Sequence, residues 1–262
     1  MTKLKVALGV CALLAVGIGG SSAVAKPPSQ GSCSGGAIAP GVYNGLTVTG
    51  ACTITGAVTI NGNVSVGKGA DLEAAFLGTR LTVNGNVHAS QGATLGLGCS
   101  FGFHDCGFNP ALWPGNVIVN GNIIATQALT LYLDFSTVHG NVMVNGGGDI
   151  TMVDHGAVQD GLVLPIKDNV IDGNVMVQGW EGAWFGIIRN HVGGNVKATH
   201  TVGTRVDEAT LSILDSTEIV TNVIGGNLIC QQNSPPAQIG DSGGTANTVA
   251  GNKIGECAKN GL

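Results

Sequence analysis

The chain has 262 residues, 44 of them glycine, with a formal charge of −5 and only 10% charged residues. Ordinary globular domains hold about 7% Gly and about 25% charged residues, so a coiled coil, a charged helical bundle and a disordered polyampholyte are excluded. Collagen is excluded too, because the glycines keep no three-residue period and only 8 residues are proline.

Residues 1–25 read as a secretory signal peptide. Lys3 and Lys5 precede an apolar run over 6–20, and Ala23-Val24-Ala25 has the small-x-small form of a cleavage site. The run is about 15 residues long, short of the roughly 20 that span a bilayer. No later run approaches that length, so the sequence predicts release to the extracellular space or cell surface, without membrane insertion. Removal of Lys3 and Lys5 with no acid takes the formal charge from −5 to −7. A chain this acidic lacks the basic footprint of a nucleic-acid binder.

Cys11 leaves with the signal, and six cysteines remain: Cys33, Cys52, Cys99, Cys106, Cys230 and Cys257. An even number in an exported chain points to disulfides. Proximity favours Cys33–Cys52, Cys99–Cys106 and Cys230–Cys257 among the possible pairings. Neither a Cys-x-x-Cys motif nor a Cys/His cluster is present, so no metal site and no cofactor are expected.

An internal repeat dominates the remainder. Gly-Asn followed by an apolar residue recurs at Asn63, Asn86, Asn122, Asn141, Asn174, Asn195 and Asn227, and a degenerate copy closes the series at Asn252. Successive spacings are 23, 36, 19, 33, 21, 32 and 25 residues, so the long ones read as a turn plus an inserted loop. After each pair the chain alternates, as in Asn63-Val64-Ser65-Val66, which is the signal of a half-buried strand. Such a turn cannot bury its apolar side alone, whereas stacked turns pair backbones at about 4.8 Å and share one core. Gly and Asn tolerate the left-handed backbone that corners require, and stacked Asn side chains can form a hydrogen-bonded ladder.

These observations predict an all-β, single-domain parallel β-solenoid of about eight turns. Residues 26–55 are read as an N-terminal cap, 56–230 as the repeats and 231–262 as a C-terminal cap, both caps tied by disulfides. The serial Gly-Asn-Val turns resemble secreted bacterial right-handed parallel β-helix proteins. The ending Gly225-Gly226-Asn227-Leu228-Ile229-Cys230, then Asn233-Ser234-Pro235, Asn247-Thr248-Val249-Ala250-Gly251-Asn252 and Gly255-Glu256-Cys257, resembles a recurrent terminus of a largely uncharacterised exported group. The resemblance implies a right-handed coil and export, and brings no catalytic motif. Pectate-lyase-like enzymes share only the architecture, and fold does not imply function.

Chemistry is sought at three places. Aligning turns on Gly-Asn puts Leu133-Asp134, Val153-Asp154, Ile188-Arg189 and Leu214-Asp215 in one column. The expectation is that Asp134, Asp154, Arg189 and Asp215 rise along one edge, with Lys167 and Lys197 nearby. Carboxylate pairs serve glycoside hydrolysis, and a base beside cations serves elimination from uronic acids. Asp is also a good corner residue that caps the next turn. In Trp180-Glu181-Gly182-Ala183-Trp184, two tryptophans beside an acid suit a sugar ring, or else form an aromatic plug. The insertion 99–115 holds His104 and Asp105 in a loop that Cys99–Cys106 would close. The expected role is an exported, monomeric, non-catalytic solenoid that binds glycan or builds a surface. The alternative is a polysaccharide lyase or glycoside hydrolase working along one side.

Overall fold

The computed structural model describes residues 28–76, 78–98, 116–149, 162–204, 216–240 and 243–262. Among these residues all strand pairings are parallel, in sheets of 18, 8 and 2 strands. The one helix, Glu256–Lys259, has four residues.

One rung shows how the chain coils. Ala57–Ile60 forms a first flank, Gly62-Asn63 turns a corner, and Val64–Val66 forms a second flank. Gly69, at φ 64°, turns the next corner into Asp71–Ala74 on a third side. The chain then returns as Arg80–Val83, which pairs residue for residue with Ala57–Ile60. The long strand Gly41–Val48 runs through both flanks and joins them into the 18-stranded sheet. The third side is the 8-stranded sheet. This architecture is consistent with a β-solenoid.

The period-two pattern decides what lies inside. Val58, Ile60, Val64, Val66, Leu72 and Ala74 are buried while their neighbours in sequence face outwards. Parallel register stacks like on like: Leu72, Leu95 and Leu131 superpose on consecutive rungs. Each such side chain contributes about 1.5–3 kcal/mol of burial, so a narrow core is stabilised by repetition.

Disulfides tie both ends, at Cys33–Cys52 and Cys230–Cys257, as expected for an oxidising compartment. Cys99 and Cys106 lie outside the described residues. Ser29–Cys33 already pairs in parallel with Gly41–Val48, and Thr248–Val249 and Lys253–Gly255 continue the two flanks. Leu262 is fully buried at the C-terminal end. Among the described residues no helix is long and apolar enough to cross a membrane.

Two asparagine ladders run along the stack. In the outer one, at the Gly-Asn corner, the backbone N–H of Asn86 donates to Asn63 Oδ1 at 2.8 Å. The same bond recurs from Asn122, Asn141, Asn174, Asn195, Asn227 and Asn252, each to the Asn one rung earlier. The inner ladder, Asn169, Asn190, Asn222 and Asn247, is buried. There the backbone N–H and Nδ2 of each Asn donate to Oδ1 of the next, at 2.7–3.0 Å. A second Nδ2 bond reaches a strand carbonyl, from Asn190 to Ile166 at 2.8 Å for example. Donors point to the earlier rung in the outer ladder and to the later rung in the inner one. Left-handed residues precede the inner ladder at Phe135, Asp168, Arg189 and Thr221, with φ of 45–59°. The backbone turns there at some conformational expense, which the buried Asn bonds offset.

Candidate functional site

Acid, base and aromatic side chains collect on the outer side of the third sheet. On its strands, Leu164, Ile166, Phe185, Ile187 and Ile219 point into the core. The alternate residues Val163, Trp184, Ile188 and Val220 therefore face out, and with Tyr132 and Ile239 they form a second apolar cluster. This side of the sheet is covered: Asp134 and Glu218 are each 1% exposed and Lys167 is 9% exposed.

The charged groups there are arranged around one another. Asp134 pairs with Lys167 across the rung gap, and Lys167 pairs with Ile188. Lys167 Nζ lies 6.0 Å from the centroid of the Trp184 ring, and Trp184 Nε1 donates to Glu218 Oε2 at 3.0 Å. Arg189 donates from Nε and an Nη to both oxygens of Asp168, at 2.6 and 2.7 Å. Burial pushes the Lys167 amine below its ordinary range, while Asp134, Asp168 and Glu218 pull it back up and Arg189 lowers it further. Burial, then Glu73 and Asp134, raise the Tyr132 hydroxyl. Burial and then Glu73 raise the Asp71 carboxyl. The hydrogen bond from Arg189 to Asp168 raises the guanidinium.

Two sequence-based expectations are corrected. Asp134 and Arg189 do not share a column. The position level with Asp134 is filled in turn by Lys167, Ile188 and Val220, and Arg189 stands one residue further on, at the left-handed corner beside Asp168. A one-residue shift moves a side chain to the opposite side of a strand, which is why counting from Gly-Asn across insertions misplaced it. Asp154 and Asp215 lie outside the described residues, as do His104 and Asp105. Lys197 faces outwards on the second flank, level with Met176 and Ile229, away from the third sheet.

The tryptophans are not an exposed platform either. Trp180 is fully buried in the main core, its ring centroid 6.5 Å from that of Phe185 and its Nε1 3.3 Å from the carbonyl of Leu129. Trp184 is 7% exposed. Glu181 is exposed, but no open indole faces solvent beside it. Both rings are plugs, because a stacked sheet offers a large indole room only over glycines such as Gly182 and Gly186.

Tyr132, Asp168, Glu218, Asp71 and Glu73 escaped the sequence reading. Their signal was faint: Tyr132 stands between two leucines in Leu131-Tyr132-Leu133, and Glu218 beside a single apolar neighbour in Thr217-Glu218-Ile219. Among the described residues no group of three or more His, Cys, Asp or Glu could hold a metal ion. No protein-family model matches the chain, and comparison with curated proteins and with solved structures finds no match either.

Proposed function

We propose that the chain is an exported, non-catalytic right-handed β-solenoid of about eight turns that binds glycan at the cell surface. One observation carries the non-catalytic reading. The acids and bases of the third sheet are packed beside its outer apolar cluster, with Asp134 and Glu218 each 1% exposed. Side chains so placed consolidate a fold, whereas a substrate cleft keeps its acid and base reachable. A right hand agrees with the rule for parallel crossover connections and with the resemblance of the repeats.

The test is a panel of polysaccharides presented to the secreted, disulfide-intact protein. Each is scored for retention and for new reducing ends or unsaturated, ultraviolet-absorbing product. Retention without product is the expected result.

A second reading, a polysaccharide lyase or glycoside hydrolase, is favoured by one specific fact. Tyr132, Asp134, Lys167 and Glu218 converge on one side of one sheet, and the Lys167 amine is held below its ordinary range, as a general base would need. Product from any polymer, abolished in Lys167→Met, would establish that reading and overturn the first.

A further inference from the structure

The Gly-Asn corner belongs to a longer repeat that only the register brings into view. Thr59, Thr82, Ile118, Thr137 and Val170 stack on one another along the outside of the first flank. Ser65, His88, Ile124, Met143 and Met176 do so along the second. Between the two files lie Asn61, Asn84 and Asn120, each exposed, followed two residues later by the outer ladder. Asn84 Nδ2 donates to Asn61 Oδ1 at 3.3 Å and Asn120 Nδ2 to Asn84 Oδ1 at 2.8 Å. The segments 59–65 and 82–88 thus present the same outward order, Thr, Asn, Asn, then Ser or His, and 118–124 differs only by Ile at its two ends.

The result is a grid three rungs long, about 4.8 Å from rung to rung, with carboxamides on each rung and hydroxyls on the first two, before the file continues as His139 and Asp172. A carboxamide has two N–H donors and two acceptor positions, and at Asn84 the bond to Asn61 and the bond from Asn120 use one of each. The second N–H and the second lone pair of Asn84, an exposed residue, are therefore not used within that file.

We propose that this grid, and not the buried tryptophans, is the recognition surface, and that it takes a neutral, unbranched polysaccharide lying along the stack. The inference rests on the glycan-binding reading above and names its site and ligand class. Charge selects the ligand. Within 59–65, 82–88 and 118–124 no side chain is Asp, Glu, Lys or Arg, while the chain as a whole is acidic at −5. An anionic polymer finds no cation within those segments, Arg80 standing outwards two residues before Thr82 on the first flank, and is repelled by the acidic remainder. Periodicity selects it as well. Only a linear polymer with a short monomer meets the same donors rung after rung, so individually weak bonds add up along its length.

The experiment uses the full disulfide-intact chain with particles of cellulose, chitin and cross-linked polygalacturonate. The expected result is retention on cellulose or chitin and none on polygalacturonate. Asn84→Asp with Asn120→Asp keeps the shape of the surface but replaces donors with facing carboxylates. It is expected to lower retention about tenfold or more, with an unchanged circular dichroism spectrum. Glu181→Gln, in the two-stranded sheet and outside both flanks, should bind as the parent does. Thr82→Arg supplies a second block that leaves the ladder intact, and it should bind as weakly as the Asn pair. Parent-level binding by both the Asp pair and Thr82→Arg would overturn the surface while leaving the glycan reading standing. Retention on polygalacturonate alone would overturn the ligand class. Failure of the parent to bind any particle would overturn both.

Discussion

The indole of Trp184 reaches back over Gly186, two residues along the same strand, so closely that a Cβ on Gly186 would fall 2.2 Å from the ring carbon Cη2. The glycine is a seat for the ring, and Glu218 one rung away fixes the indole N–H. Gly186→Ala should therefore unseat Trp184 and lower stability by about 3 kcal/mol, the upper range for overpacking a tight site. Chemical denaturation with tryptophan fluorescence measures both effects at once. An unchanged midpoint would show that the ring has another resting place.

The two asparagine ladders should respond very differently to truncation. Asn190→Ala removes the acceptor for the Asn169 backbone N–H and Nδ2, takes the Nδ2 donor from the Ile166 carbonyl, and leaves Asn222 Oδ1 with only the backbone N–H of residue 190, all of it buried. The expected loss is about 3 kcal/mol or more, because each buried group left unmatched costs about 1–3 kcal/mol. Asn86→Ala, at a corner that water reaches, should lose about 1 kcal/mol. Equal losses in thermal unfolding would contradict the distinction.

At Asp168, conformation and charge can be separated. Its φ of 59° is one that Asn tolerates and Ala resists. Asp168→Asn should cost about 1–2 kcal/mol by weakening the two-pronged bond from Arg189, and Asp168→Ala should cost more by adding backbone strain. Salt should narrow the gap between parent and the Asn variant, since the Arg189 side chain is 45% exposed. Urea titrations at low and high salt give all three comparisons.

Asp71 gives a pH-dependent case. Its carboxyl is held above the ordinary 3.8 by burial and then by Glu73, so the ionised form is the disfavoured one in the fold. The unfolded chain releases that proton at lower pH, so stability falls as pH rises through the interval between the two values. Asp71→Asn should melt higher than the parent at pH 7, and the advantage should fade below about pH 3.8. A melting difference of the same size at both pH values would rule out the titration of Asp71 as its cause.

The coil was readable because its determinants are local. Alternation after Asn63 or Asn174 marks strands, and Gly-Asn marks a corner that nearly every rung reuses. The pairs Cys33–Cys52 and Cys230–Cys257 were likewise close in sequence. What escaped depends on register between rungs separated by insertions. Leu133-Asp134 and Ile188-Arg189 look alike, yet the true corner is the residue before the inner Asn, at Asp168-Asn169 and Arg189-Asn190. No repeat of Gly marks it, because Phe135, Asp168, Arg189 and Thr221 take the left-handed turn themselves. The burial of Trp180 and Trp184 was hidden for a related reason: indoles beside an acid look like a sugar platform until the glycines that seat them are placed.

In both ladders each asparagine passes a hydrogen bond to a partner of its own kind, in the same geometry at every step. Any member can therefore replace any other. Excision of 174–194 would bring Gly173 onto Asn195, let Asn195 bond to Asn141, and let Asn169 meet Asn222, with every donor again matched. Loss of a few residues from the same rung would instead break both series at once. The length of this molecule is quantised: it can grow or shrink by duplication or deletion of a complete rung, and by no smaller step within the coil.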